Sequence, residues 1–316
     1  MKTKTDKFPI TLSLVQNLIS EQFPQWAYLP IRPVELGGWD NRTFHLGSEM
    51  LIRLPSAECY AAKVQIEQKW LPILAQHLSF QIPKPIAMGK PSKNYPWHWS
   101  IYKWIEGESA NILTMDELDL NHLALQLTQF LNELHKIDIA DAPLPGPHNF
   151  FRGGSLLVYD AETRSTLKLR RGTARSAILK LQNFINLDSL LSVWEKATSS
   201  KWNKKPVWIH GDLSSGNILI KDNQLAAVID FGGMAIGDPA CDLVIAWTFL
   251  KDESRDIFKS HLNLDVDTWD RACGWALWKA LITLESLEDK TSKESLKQQQ
   301  IILDLVDECN FENKKL

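Results

Sequence analysis

At 316 residues the chain is long enough for one large core or for two lobes that share a cleft. A formal net charge of -3, with 44% apolar and 23% charged residues, gives no global basis for binding nucleic acid or a membrane surface. The cysteines Cys59, Cys241, Cys273 and Cys309 are scattered, without a C-x-x-C pair or a Cys/His spacing suited to zinc, and read as reduced thiols of a cytoplasmic protein.

The opening segment MKTKTDKFPITLSLVQNLI lacks the apolar core and small-residue cleavage site of a signal peptide. No stretch approaches the roughly eighteen apolar residues of a membrane span. TLSLVQNLISEQF has helical spacing with Thr11 as N-cap, and TFHLGSEMLIRLP predicts two short strands around a Gly-Ser turn. AAKVQIEQKWLPILAQHL predicts a helix carrying Glu67 in its middle. WHWSIYKWIEGE reads as a strand running into a loop at Gly107, the expected lobe boundary. Beyond it the pattern turns helical: LALQLTQFLNELHKI is amphipathic, and TWDRACGWALWKALITLESLED sets Trp275, Trp278, Leu281, Ile282 and Glu285 near one face. VWIHGDLSSGNILI and LAAVIDFGG interrupt it as short strands, and the polar tail reads as a solvated helix with a frayed end.

The polar knot inside VWIHGDLSSGNILI carries the chemistry. Asp212 and Asn217 stand as in the kinase loop H-R-D-x-x-x-x-N, where the Asp acts on the attacking hydroxyl and the Asn binds magnesium. Asp230-Phe231-Gly232 follows thirteen residues after Asn217, matching the D-F-G whose Asp holds the phosphate-bridging metal. The turn KDNQ between them predicts a hairpin that brings Asn217 and Asp230 to one end, an oxygen pair suited to Mg²⁺. Singly, each residue is more often a structural loop cap or strand end. Their joint occurrence by chance is expected in roughly one chain in ten thousand or fewer on average residue usage.

With these motifs, and with GDPACDL beyond them, the chain resembles the aminoglycoside phosphotransferase family, the small-molecule branch of the protein-kinase-like fold. The resemblance implies an α+β, two-lobed fold: a small N-terminal nucleotide-binding lobe with an antiparallel sheet over 1–105, and a larger, mainly helical catalytic and substrate-binding lobe over 106–316. It implies Asp212 as the catalytic carboxylate, Asn217 and Asp230 as magnesium ligands, and His210 as a structural brace. ATP or GTP is the expected donor, bound by Gly37 and Gly38 of LGGWDNRTFHL, by Arg53 paired with Glu67, and by the backbone of Lys103, Trp104 and Ile105.

Two departures stand out. Kinases place a Lys where this chain has Arg53, which supplies a fork instead of a compact ammonium; Arg53 also reads as an ordinary surface strand residue. The glycine segment is not G-x-G-x-x-G, and a plain hairpin explains it nearly as well. The absence of G-x-x-x-x-G-K-[ST] sets a P-loop enzyme aside.

Only GMAI separates Gly232 from GDPACDLVIAW, so no peptide-docking segment of a protein kinase is present. The expected acceptor is therefore a hydroxyl of a small molecule. Two segments are placed to line its site. One is the insertion over 151–180, rich in Arg152, Arg164, Lys168, Arg170, Arg171, Arg175 and Lys180; most of these read as a solvated face, yet a basic cap suits a polycationic aminoglycoside poorly. The other is the Trp275/Trp278 helix with Glu285, Glu288 and Asp289. Acceptor charge stays open on this reading, as does the choice among an antibiotic, a metabolic amino alcohol or sugar, and a catalytically inactive nucleotide-binding module.

Overall fold

The computed structural model describes residues 7–35, 38, 40–168 and 187–313. The first lobe is a five-stranded antiparallel sheet of β1 (Ile31–Pro33), β2 (Asn41–Leu46), β3 (Met50–Pro55), β4 (Pro85–Gly89) and β5 (Trp99–Lys103), in the order β1-β2-β3-β5-β4. The β2 and β3 strands alternate, so Phe44, Leu46, Ile52 and Leu54 are buried. The tight turn between them uses Gly47 at φ +65°, a left-handed conformation open to glycine. Helix α1 (Leu12–Gln22) starts where the Thr11 hydroxyl accepts the Leu14 N–H at 3.2 Å, and it lays Val15, Leu18 and Ile19 against the sheet core that includes Trp99 and Ile101. A Cβ at Gly89 would fall 1.9 Å from the fully buried Trp99 indole, so this edge strand passes the ring only as glycine.

Helix α2 (Glu58–Leu74) joins the lobes. Its far end, Trp70, Leu71 and Leu74, belongs to the core of the second lobe, and the Trp70 ring lies 5.0 Å from that of Trp208. Beyond Gly107 the chain enters that lobe. Strand β6 (Glu108–Ser109) pairs with β8 (Ile218–Lys221), which forms a hairpin with β9 (Gln224–Val228), and β7 (Val207–Ile209) pairs with β10 (Ala235–Gly237). Around these pack α3 (Leu120–Leu134), α4 (Asp160–Lys168), α5 (Leu187–Ser199), the long helix Val266–Ser286 and the C-terminal helix Lys293–Asn313.

In the long helix, Trp275, Trp278 and Leu281 are buried, whereas Glu285 is exposed and accepts a hydrogen bond from the Thr166 hydroxyl at 3.1 Å. The polar stretch DKTSKESLKQQQ is solvated as expected apart from the buried Ser295 and Gln298, and the same helix continues into Ile301, Ile302, Leu305 and Val306, which are buried on one face. Among the described residues no helix is long and apolar enough to cross a membrane.

Candidate active site

The H-G-D turn is fixed by three local devices. Gly211 has φ +84°, and a Cβ there would meet the Gly233 carbonyl oxygen at 2.1 Å, so the turn crosses the D-F-G-G segment only as glycine. The buried Asp242 carboxylate accepts the N–H groups of His210 and Gly211, each at 2.7 Å. His210, fully buried, accepts the Asp212 N–H at Nδ1 (3.1 Å), so its Nε2 carries the proton and donates to the Ile229 carbonyl at 2.9 Å. This histidine braces the loop from inside.

Asn217 donates its amide N–H to the Asp212 carbonyl at 2.9 Å, and its own carbonyl accepts the Ile229 N–H at 2.8 Å, which ties the loop to the strand leading into Asp230. Asp230 is held in a left-handed conformation at φ 65° while the following Phe231 is buried against the His210 ring, 4.6 Å away. The hairpin brings the two expected metal ligands to one end. Their donor set fits Mg²⁺: a hard carboxylate from Asp230, and from Asn217 the amide oxygen, whose nitrogen is already engaged.

Arg53 lies at this end too, with its side chain 15% exposed, which removes the surface-residue reading. It donates to Asp230 Oδ1 at 2.8 Å and to Glu67 Oε1 at 3.4 Å, and the Tyr102 hydroxyl closes the cluster on Glu67 Oε2 at 2.6 Å. Burial would lower the Arg53 pKa, but Asp230, Glu67 and Tyr102 outweigh it, so the guanidinium stays charged. Burial works to raise the Asp230 pKa and Arg53 overcomes it, leaving the carboxyl below its ordinary value; Glu67 goes the other way, pushed up by burial.

Asp212, Asn217, Asp230 and Arg53 all line one cavity of about 620 Å³ between the lobes, together with Lys103, Trp104 and Ile105. Gly38 lines it as well, while Gly37 lies outside the described residues. Glu67 is not in its wall and stands behind Arg53. Leu51, Tyr102, Leu219 and Ile229 supply apolar and aromatic surface. At the hinge, the Lys103 N–H bonds the Lys84 carbonyl (2.9 Å) and the Trp104 N–H the Glu49 carbonyl (2.8 Å). Of the three hinge amides, that of Ile105 is the one with no partner among the described residues.

The other side of Asp212 holds what sequence reasoning missed. Lys279 Nζ and Arg152 Nη2 both approach Asp212 Oδ1, at 3.1 and 3.2 Å. Burial would raise the Asp212 pKa, and the two cations, Lys279 foremost, reverse this and hold the carboxyl well below the usual range. Arg152, on one of the two segments expected to line the acceptor site, is an exception to the solvated face read for most of its cations, with a side chain only 18% exposed. Arg164 of the same segment pairs with Asp160 at 2.7 Å, while Arg170, Arg171, Arg175 and Lys180 lie outside the described residues. Lys279 carried one signal, a lone cation inside the apolar run GWALWKALITL.

A family model described as the phosphotransferase enzyme family matches residues 30–275. The chain belongs to that family. It is a phosphotransferase. No curated protein matches the sequence significantly. Among solved structures, the GDP complex of a variant aminoglycoside 2'-phosphotransferase-IIIa superposes with TM-score 0.70 at 20% identity, covering 95% of this chain and 99% of that one. A GDP and kanamycin complex of an aminoglycoside phosphotransferase gives TM-score 0.65 at 20% identity, with 95% and 99% covered. The macrolide 2'-phosphotransferase MphH from Brachybacterium faecium gives 0.57 at 18%, with 93% and 98% covered. At these identities the likeness establishes the two-lobed kinase-like fold of the family.

Proposed function

We propose that the phosphotransferase moves the γ-phosphoryl group of ATP or GTP to a hydroxyl of a small molecule, with Asp212 as the carboxylate that acts on that hydroxyl. The observation that carries this reading is the shared cavity: Asp212, Asn217, Asp230 and Arg53 converge on it, with the hinge at its other end. In the transfer the acceptor oxygen bonds to the γ-phosphorus and the bond from phosphorus to the β-γ bridging oxygen breaks. The nucleoside diphosphate leaves with the electron pair, and the hydroxyl proton passes to Asp212.

The residues divide the work by position. Asp212 orients the hydroxyl and receives its proton late; its depressed pKa keeps it ionised for the first role and makes it a weak base for the second. Asn217 and Asp230 would hold Mg²⁺, which when bound supplies the charge that offsets the phosphate oxygens. Arg53, steadied by Glu67, adds a fixed cation to the same wall, and the Ile105 amide is the hinge donor for the base. Such a site accelerates transfer by positioning and preorganised charge.

The test is a transfer assay with γ-labelled ATP and GTP over aminoglycosides, macrolides, amino alcohols and sugars, with and without Mg²⁺. Label should reach an acceptor only with Mg²⁺, and not in the Asp230→Ala variant. Transfer that is independent of Mg²⁺ or survives Asp230→Ala would overturn the reading.

A further inference from the structure

Arg152 and Lys279 share one oxygen of one carboxylate, Asp212, while the buried Asp242 carboxylate acts on Arg152 from behind the H-G-D turn without an ion pair to it. Neither residue lines the nucleotide cavity, although Asp212 itself does. They therefore stand on the side of the carboxylate away from the nucleotide, where the acceptor must present its hydroxyl. The neighbouring carboxylates form no ion pair with either cation among the described residues: Glu162 accepts the Trp278 indole N–H at 2.9 Å, Glu285 the Thr166 hydroxyl at 3.1 Å, and Asp160 pairs with Arg164 at 2.7 Å.

The backbone shows how firmly Arg152 is held there. Phe150 and Phe151, the two residues before it, both take positive φ, 56° and 54°, a conformation that costs non-glycine residues energy and persists only where surroundings enforce it. Asn149, fully buried, supplies that enforcement: its Oδ1 accepts the Gly146 N–H at 3.0 Å, and its Nδ2 donates to the carbonyls of Arg152 (3.0 Å) and Gly233 (3.3 Å). The Tyr159 hydroxyl adds a bond to the Phe150 carbonyl at 2.7 Å. One asparagine thus ties the Arg152 loop to the D-F-G-G segment. The Arg152 side chain is 18% exposed, its guanidinium carbon lies 5.8 Å from the centre of the Phe150 ring, and its contact with Asp212 is its one ion pair among the described residues, so a fork of donors stays open to a ligand.

We propose that Arg152 and Lys279 form an oxyanion subsite that recognises an acidic group, carboxylate or phosphate, on the acceptor beside the hydroxyl to be phosphorylated. This rests on the reading of Asp212 as the acceptor-side carboxylate. An arginine fork matches a carboxylate or phosphate in two parallel bonds, and the lysine adds a mobile point charge. A polycation, by contrast, meets like charge at the reacting position.

Sulfate is the probe, titrated calorimetrically into protein saturated with Mg-ADP so that the phosphate positions of the nucleotide cleft are filled. Wild type should bind sulfate; Arg152→Ala should weaken it about tenfold or more and Lys279→Met by a smaller factor, with Mg-ADP affinity unchanged. Asp212→Asn should tighten sulfate several-fold, because the neighbouring negative charge is gone. No sulfate binding in wild type, or binding indifferent to all three substitutions, would overturn the subsite. Weakened Mg-ADP binding in Arg152→Ala or Lys279→Met would assign the cations to the transferred phosphoryl group instead, and would overturn it too. In the transfer assay, hydroxy acids or hydroxy phosphates should outcompete neutral and polycationic hydroxyl compounds; a polycation as the best acceptor would contradict it. Failure of the kinase reading is separate: it shows as absent Mg-ADP binding in a titration run before sulfate is added, and sulfate is then titrated alone and read through its loss in Arg152→Ala and Lys279→Met against an Arg53→Ala control.

Discussion

On the side of Asp212 proposed for the nucleotide the charges satisfy one another: Arg53 bridges Asp230 and Glu67, and Tyr102 caps Glu67. On the side proposed for the acceptor two cations meet a single oxygen of Asp212. The first arrangement is a closed, mostly buried network in which each group depends on the others for its charge state. The second pairs two cations with one carboxylate. Substitutions in the network should therefore affect nucleotide binding and stability together, whereas substitutions of the cations should change acceptor handling and pH dependence and leave the fold alone.

The largest effect is expected from Asp230→Ala, which removes the proposed charged metal ligand and frees Arg53 from its shorter partner. Activity should fall at least about 1,000-fold, consistent with losing several kcal/mol of charge stabilisation on the phosphates. Initial rates across a magnesium series measure it, and a rate restored by ordinary Mg²⁺ would break the network account.

Arg53→Ala comes next. The nucleotide KM should rise about tenfold, with the acceptor KM held within about twofold. Stability should fall by about 3 kcal/mol, because Glu67 is left as an uncompensated buried carboxylate. Burial already raises the Glu67 pKa, and removing Arg53 raises it further. The unfolded chain then releases that proton first, so the stability loss grows as pH rises above the ordinary carboxylate range. Denaturant titrations at pH 5 and pH 7 should find the variant more impaired at pH 7; equal loss at both would contradict the role of Arg53.

Lys279→Met should be the mildest. Asp212 has a depressed pKa, so what its ionised form contributes is present above the ordinary carboxylate range and is lost as pH falls through the lower folded value. Removing the largest stabilising cation moves that value back up. The acid limb of kcat/KM should shift to higher pH, with little change in Tm. An unmoved limb would separate Lys279 from Asp212.

Legibility in the sequence divides along the same line. The nucleotide side was readable because its groups come in local strings, H-G-D-L-S-S-G-N and D-F-G, and because Arg53 and Glu67 follow strand-then-helix order. The acceptor side was not. Arg152 stands twelve residues from the nearest other cation, Arg164, and nothing in composition announces that a buried Asn149 and two left-handed phenylalanines turn it inward. Lys279 and Asp212 are 67 residues apart, a pairing set by how the long helix docks.

The central claim is that the Asp212 carboxylate acts on the acceptor and not on the nucleotide, and Asp212→Asn tests it by keeping shape while removing charge. Calorimetric titration with Mg-nucleotide, beside single-turnover transfer, should find nucleotide affinity within a few-fold of wild type and transfer slowed by roughly 10²- to 10⁴-fold. Transfer at the wild-type rate, or loss of nucleotide binding with the fold intact, would contradict it.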